Sequence, residues 1–238
     1  PRAAQEPPPD AAAPDERRTP IQVTASQERL LRTVGDAGVI PTTYAFRLAG
    51  LSRQPGTTAK TGLVTFGLLT AASVLVRAGR GGNAQVLRVT REGYALLGRQ
   101  PPYRTRGGDG DQHYYNVVTL AKALPDAVVE CMVGEKSVDL LVTYDPSRHQ
   151  RLLAQMNDKD VAPGALLAIE VEASAAAART ALNNITKNAA VGIAHTVVAV
   201  MPKHVEKTKT SLEERVPADL RDAYTVVDVF DLIAGLKR

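Results

Sequence analysis

The chain has 238 residues, of which 44% are hydrophobic and only 4% aromatic, so aliphatic side chains must build the cores of one large or two modest domains. No run approaches the roughly 20 apolar residues that cross a bilayer, and the first residues lack a signal-peptide pattern, so we expect no membrane association and a cytoplasmic location. Cys131 is the single cysteine, which excludes an internal disulfide and agrees with a reducing compartment.

The net charge of +4 is unevenly distributed along the chain. Residues 20–99 contain ten lysines and arginines against three acidic residues, whereas residues 113–238 contain fourteen against sixteen. A basic first half joined to a mildly acidic second half indicates two roles, with the basic half facing a polyanion.

Two segments of biased composition divide the chain. Residues 1–20 are rich in Pro, Ala and charged residues and are predicted to form a disordered tail. Residues 100–112 are dense in Pro and Gly, which predicts a linker. The remaining segments, 21–99 and 113–238, are therefore predicted to be the two domains.

The first predicted domain changes from a helical to a strand period along its length. Its predicted elements are helices over 26–36, 41–49 and about 57–72, strands over 73–77 and 84–89, and a short helix over 90–98. This order, with a Gly-rich turn between the strands and the Thr90-Arg-Glu-Gly93 ending, resembles the winged helix-turn-helix superfamily. The resemblance implies a DNA-binding domain.

Basic and polar residues stand where such a domain meets DNA. Arg53, Thr57 and Lys60 lie at the entry of the third predicted helix, where a recognition helix enters the major groove. On the predicted hairpin, Arg77, Arg80 and Arg88 can follow the phosphate backbone or enter the minor groove. We therefore predict that these six residues bind double-stranded DNA, and a solvated basic face or a protein-contact surface are the alternatives.

In the second predicted domain, strands alternate with helices, and the strands are apolar runs. The predicted strands cover 127–133, 138–144, 165–172, 195–201 and 224–230, and the predicted helices cover 113–123, part of 147–160, 174–190, 205–215 and a last turn over 232–236. This pattern predicts an α/β domain with a mixed sheet.

Acidic residues interrupt two of these apolar strands. Glu170 and Glu172 point to the same face of their strand, because strand side chains alternate, and Asp139 lies on a neighbouring strand. Three buried carboxylates are costly unless they bind something, and a divalent cation is the usual ligand.

The order helix, strand, strand with Asp139, strand with Glu170-Val-Glu172, helix and strand resembles the restriction-endonuclease-like superfamily of PD-(D/E)xK type. The resemblance implies that Asp139 and Glu170 hold Mg²⁺ or Mn²⁺, with Glu130 as a further candidate ligand. For the alternative of an active endonuclease, Asp139, Glu170 and Glu172 are the candidate catalytic residues.

The chain departs from that pattern at one position, because Glu172 stands where the superfamily has its lysine. A carboxylate cannot support the attacking water and the developing negative charge as a lysine does. We predict that Lys187 on the following helix substitutes for it, and Arg179 is the alternative. Asn183 and Asn184 on the same helix are candidates to line the site.

Other chemistries have weaker signals. The four histidines show no zinc-ligand spacing and receive no metal role, and His195 is predicted to be structural because it opens an apolar strand. The Gly-rich segments lack the strand-to-helix context and Lys-Ser/Thr of a nucleotide-binding loop. Tyr44, Tyr114 and Tyr115 remain open as DNA-nicking nucleophiles, and nothing in the sequence selects one of them.

The whole plan, an α+β winged helix-turn-helix followed by an α/β restriction-endonuclease-like domain, resembles the replication-relaxation family of plasmids and integrative elements. The sequence therefore predicts a DNA-binding protein of a plasmid or mobile element whose nuclease-like domain is degenerate in catalysis. The alternatives are a Mg²⁺- or Mn²⁺-dependent endonuclease or nickase, and a protein-interaction adaptor. A replication or mobilisation protein and a second copy of the chain are the protein partners left open.

Overall fold

The computed structural model describes residues 21–77, 82–101, 110–124 and 126–237. The predicted tail over 1–20, most of the predicted linker and the tip of the predicted hairpin, including Arg80, lie outside the described residues. The first half contains α1 (Ala25–Ala37), β1 (Val39–Pro41), α2 (Thr42–Leu48), α3 (Arg53–Thr65), β2 (Leu69–Leu75), β3 (Asn83–Val89) and α4 (Arg91–Leu96).

Helix α1 begins one residue earlier than predicted because of its cap. The Thr24 hydroxyl accepts a hydrogen bond from the Gln27 amide, and the Gln27 side chain accepts one from the Thr24 amide, which forms a capping box. Leu30, Leu31 and Val34 form the buried face of the helix.

The predicted helix over 57–72 is wrong at both ends, since α3 covers Arg53–Thr65. Gly67 has a φ of 68° and closes the helix, because the amides of Gly67 and Leu68 donate to the carbonyls of Val64 and Leu63. The leucines that follow, Leu68 and Leu69, are buried beyond the helix, and Leu69 already belongs to β2.

Strands β1, β3 and β2 form an antiparallel sheet in that order. Helices α1, α2 and α3 pack on it around one apolar cluster, in which Leu31, Phe46, Leu63 and Leu87 are buried. Helix α4 follows the sheet, and the Thr90 hydroxyl accepts from the Gly93 amide at its start.

The second half has a five-stranded mixed sheet with helices, so the predicted mixed sheet is confirmed. Its elements are α5 (Asp111–Ala123), β4 (Val128–Val133), β5 (Lys136–Thr143), α6 (Gln150–Gln155), β6 (Leu166–Glu172), α7 (Ala177–Ala190), β7 (His195–Val200), α8 (Val205–Arg215), β8 (Tyr224–Asp228) and α9 (Val229–Lys237). The strand order is β4-β5-β6-β7-β8, in which β4–β5 and β5–β6 are antiparallel and the last three strands are parallel.

Helix α5 contacts both sheets. Val117 joins the apolar cluster of the five-stranded sheet, whereas Tyr114 and Val118 belong to a cluster with side chains of the three-stranded sheet. At its first turn, the Gln112 side chain accepts from the Leu75 amide at 2.7 Å and donates to the Leu75 carbonyl at 2.8 Å. One helix therefore connects the end of β2 with the core of the second half.

None of the helices that the structure describes combines the length and the apolar character needed to cross a bilayer.

Candidate metal centre in an acidic cleft

A cleft of about 610 Å³ is lined by residues of α5, β5, β6 and α7. The four predicted catalytic residues all line it: Asp139, Glu170, Glu172 and Lys187. Further side chains at its wall include His113, Glu130 and Asn184. The fold thus brings together acids that are up to 42 residues apart in the sequence, from Glu130 to Glu172.

The position of Asp139 follows from the register of two strands. The antiparallel pairing of β5 with β6 runs to the pair of Leu140 with Ile169, and Asp139 comes next. Its Oδ2 atom accepts a hydrogen bond from the Val171 amide at 2.7 Å. The Asp139 carboxylate therefore lies at the end of the pairing, beside Glu170.

Glu170 and Glu172 are buried, with 2% and 6% of their surfaces exposed. The Asn184 amide nitrogen donates to both, at 3.3 Å to Glu170 Oε2 and 3.0 Å to Glu172 Oε1. The Asn188 amide nitrogen donates to Glu170 Oε1 at 2.9 Å. The two glutamates share one face of β6, as the alternation along the strand predicts, and α7 packs on that face.

Burial and mutual repulsion disturb both glutamates. Burial, and then the Asp139 charge, raise the pKa of Glu170 to about 7, although Lys187 and Asn188 oppose the shift. Burial, Asp139 and Glu170 raise the pKa of Glu172 to about 8. Both side chains hold a proton more readily than an exposed glutamate, because they are buried and, to a smaller extent, because the Asp139 charge lies close to them.

Helix α7 supplies the polar wall of the cleft. Thr180, Asn184 and Lys187 recur at helical spacing and line the cleft together. The Lys187 ammonium donates to the Ser137 carbonyl at 2.6 Å and lies 3.4 Å from Glu170 Oε1. Of the alternatives considered for this wall, Arg179 and Asn183 are exposed and do not appear among the cleft residues that the structure describes.

A second grouping in the cleft contains Asp139 and Glu130, which the sequence suggested as metal ligands, and His113, which sequence reasoning missed. His113, Glu130 and Asp139 each offer one ligand atom, and these atoms lie within 4.8 Å of one another. His113 Nε2 lies 3.6 Å from Asp139 Oδ1. Spacing along the sequence gave no signal for His113, since the contact depends on where α5 packs. The predicted metal pair of Asp139 and Glu170 remains a prediction.

The predicted DNA-binding residues divide by exposure. We call the exposed side of the third helix the α3 face, which consists of Arg53, Gln54, Thr57, Thr58 and Thr61. Lys60 is half-buried beside it and donates to Gln85 Oε1 at 2.7 Å, which ties the helix to β3. Arg77 is exposed just after β2.

Arg88 lies on the side of β3 that meets α5. Its guanidinium carbon is 4.7 Å from the centre of the Tyr114 ring, and its Nη2 atom is 3.8 Å from Asp111 Oδ1. Tyr114 is buried and Tyr115 half-buried, whereas Tyr44 is half exposed under the Arg47 guanidinium. Arg88 therefore has a contact within the fold in addition to its predicted contact with DNA.

Comparison with known protein families, curated proteins and solved structures found no significant match to this chain.

Proposed function

We propose that this chain binds duplex DNA and that its cleft supports divalent-cation-dependent cleavage of phosphodiester bonds. One observation carries the proposal: Asp139, Glu170 and Glu172 share a cleft with Lys187, whose ammonium lies 3.4 Å from Glu170. Lys187 thereby supplies the positive charge that the sequence lacks at residue 172.

The order of elements supports the nuclease-like interpretation. Helix α5, strands β4, β5 and β6, helix α7 and strand β7 occur in the order that the restriction-endonuclease-like resemblance implies, with helix α6 between β5 and β6. Asp139 and Glu170 lie on antiparallel neighbours, one step beyond the pair of Leu140 with Ile169. In the first half, α2, α3 and the β2–β3 hairpin agree with a winged helix-turn-helix.

The donor set of the cleft fits a divalent cation. Carboxylate oxygens are the ligands such ions prefer, and burial of several acids in one cleft raises the pKa of Glu170 and Glu172. When bound, the cation would polarise a phosphate and lower the pKa of a water molecule. Asn184 orients Glu172 and Glu170, and Lys187 places a positive charge where negative charge develops on a phosphate.

The first half supplies the affinity for DNA. Residues 20–99 have seven more lysines and arginines than acidic residues, and Arg53 and Thr57 are exposed at the start of α3. Contacts to phosphates release counterions, so binding should weaken steeply with salt. A role in plasmid replication or mobilisation is part of the same proposal and depends on the DNA that is bound.

The test is nicking of supercoiled plasmid by the full chain with Mg²⁺ or Mn²⁺. We expect cleavage that EDTA abolishes and that Asp139→Asn and Lys187→Met each reduce at least about 100-fold. The matched controls are Asp219→Asn and Lys207→Met, both at exposed positions outside the cleft, which should cleave as the wild type does. No cleavage of supercoiled, linear or single-stranded DNA by the folded protein with either cation would refute the catalytic half.

A specific observation favours a second candidate, DNA binding without cleavage. Glu172 stands in the lysine position, and burial, together with the charges of Asp139 and Glu170, raises its pKa to about 8, so it is a poor substitute for a cationic lysine. Salt-sensitive DNA binding by a folded protein that cuts no DNA form would establish this alternative.

A further inference from the structure

We propose that His113, Glu130 and Asp139 form a binding site for a transition-metal dication of the Mn²⁺ or Zn²⁺ type, which the backbone of Val171 organises. Any catalytic use of this ion rests on the function proposed above. The binding itself does not, and it can be measured without DNA.

The three ligands come from three elements that meet at one end of the cleft. His113 is in the first turn of α5, Glu130 is in β4 and Asp139 is in β5. Their nearest donor atoms lie within 4.8 Å of one another, a spacing that one metal ion can span. Side chains from separate elements converge in this way without any periodicity in the sequence.

Both backbone groups of Val171 hold ligands in place. The Val171 amide donates to Asp139 Oδ2 at 2.7 Å, and the Val171 carbonyl lies 2.9 Å from His113 Nδ1. A carbonyl only accepts, so Nδ1 must be the protonated nitrogen, and the neutral ring then presents its lone pair at Nε2. That atom is 3.6 Å from Asp139 Oδ1, so the ligand atoms of both side chains face the same space.

This arrangement matches a recurrent feature of metal sites. A metal-ligating histidine almost always donates its other ring N–H to a carbonyl or carboxylate, which fixes the tautomer and the ring orientation. Here a single residue, Val171, fixes the orientation of His113 and of Asp139 together. The two ligands are therefore oriented before any ion binds.

Glu130 is positioned by an unusual backbone. Val129 pairs with Leu140 and Cys131 pairs with Val138, so Glu130 lies opposite Asp139 across the two strands. Like charges directly opposite each other destabilise a sheet, and a cation between them removes that penalty. The φ of Glu130 is 51°, which side chains other than glycine rarely adopt inside a strand.

The donor set selects the class of ion. Imidazole nitrogen suits Zn²⁺ and related transition metals, whereas Mg²⁺ prefers oxygen ligands and keeps much of its water. One imidazole with two carboxylates therefore favours Mn²⁺ and Zn²⁺ over Mg²⁺. Glu170 is held by Asn184, Asn188 and Lys187 instead, which places it beside the proposed site rather than in this ligand group.

The test is titration of Mn²⁺ into the full chain without DNA, followed by electron paramagnetic resonance. We expect one bound Mn²⁺ whose pulsed-resonance spectrum shows a coupling to an imidazole nitrogen. Zn²⁺ should displace this Mn²⁺ at a far lower concentration than Mg²⁺ does. His113→Ala should remove that coupling and weaken Mn²⁺ binding at least about tenfold, and Glu130→Gln should weaken binding similarly. His204→Ala and Glu206→Gln, outside the cleft, are the matched controls and should change neither quantity.

The outcomes separate this inference from the proposed function. Three outcomes would each overturn the site: no bound Mn²⁺, bound Mn²⁺ without nitrogen coupling, and coupling that persists in His113→Ala. The last outcome would assign the coupling to another histidine. Circular dichroism shows whether His113→Ala is folded, and the wild-type nitrogen coupling stands as evidence if it is not. Mn²⁺ binding with nitrogen coupling but no plasmid cleavage would support the site and refute the catalytic function.

Discussion

On the α3 face, Arg53 and Thr57 are exposed, whereas Glu170 and Glu172 in the cleft have 2% and 6% of their surfaces exposed. An exposed charge costs little to place and contributes little to stability, so the α3 face can change without affecting the fold. A buried charge lowers stability unless its partners compensate for the lost hydration, and the raised pKa values of Glu170 and Glu172 show that Lys187, Asn184 and Asn188 compensate only in part. Substitutions on the α3 face should therefore change DNA affinity and leave stability unchanged, whereas substitutions of the cleft acids should change stability.

The largest expected effect on stability is at Glu172. Its pKa rises from 4.5 to about 8 on folding, so the folded state binds this proton more tightly than the unfolded state does. The resulting stabilisation of the fold is fully present below pH 4.5 and is lost as the pH rises through about 8. Glu172→Gln should therefore raise the free energy of unfolding of the metal-free protein at pH 9, by up to about 4 kcal/mol.

Urea unfolding in EDTA at pH 5 and pH 9 measures this effect, with the exposed Glu214→Gln as the control. Glu172→Gln should gain more over wild type at pH 9 than at pH 5. A loss of stability at pH 9 would contradict this expectation and show that Glu172 is ionised and paired in the fold.

His195 is a buried titratable residue of the same sheet that lies outside the cleft, so it can be compared with Glu172. Burial lowers its pKa from 6.5 to about 4, and its Nε2 atom is 2.9 Å from the Thr225 hydroxyl. A lowered histidine pKa gives stability that is present above pH 6.5 and is lost as the pH falls toward 4, by up to about 3 kcal/mol. The slope is opposite in sign to that of Glu172.

His195→Gln should flatten the pH dependence of stability between pH 6.5 and 4 relative to wild type, as urea midpoints at several pH values would report. His204→Ala serves as the comparison. An unchanged slope in His195→Gln would mean that His195 is not kept neutral by the fold.

Arg53→Ala tests whether the exposed α3 face binds DNA. It should weaken binding of duplex DNA about three- to tenfold and lower the slope of log affinity against log salt by about 1. The free energy of unfolding should stay within about 0.5 kcal/mol of wild type. Fluorescence anisotropy at several salt concentrations measures binding, and Arg215→Ala, exposed on α8, is the control. Equal loss in both variants would indicate nonspecific attraction.

The smallest effect concerns the helix that supports the α3 face without contributing to it. Thr24→Ala removes the hydroxyl that accepts from the Gln27 amide, which should cost about 1 kcal/mol of stability. DNA affinity measured under folding conditions should not change. A loss of affinity without a loss of stability would show that α1 itself contacts DNA.

The sequence revealed much of the cleft because strand alternation and sheet order are local rules. Glu170 and Glu172 share a face through alternation alone, and Asp139 joins them through the pairing of neighbouring strands. The following helix offered Lys187 with Arg179, and Asn184 with Asn183, as alternatives, and the packing of α7 brings only Lys187 and Asn184 to the acids among these four.

What sequence reasoning missed depends on packing between distant elements. His113 reaches the cleft because α5 packs between the two sheets, and no spacing rule encodes that contact. Arg88 was predicted to bind DNA, yet it also packs on Tyr114 of α5. The end of α3 was misplaced because Leu68 and Leu69 fit a helical period, whereas Gly67 decides the boundary through its backbone.

Anomalous diffraction from crystals of the full chain soaked in Mn²⁺ tests most directly whether the cleft acids hold a divalent cation. We predict an anomalous peak at coordination distance from the Asp139 carboxylate, and this peak should disappear in Asp139→Asn crystals grown in the same way. A cleft without a peak at saturating Mn²⁺, or a peak that remains in Asp139→Asn, would show that the Asp139 carboxylate does not hold the cation.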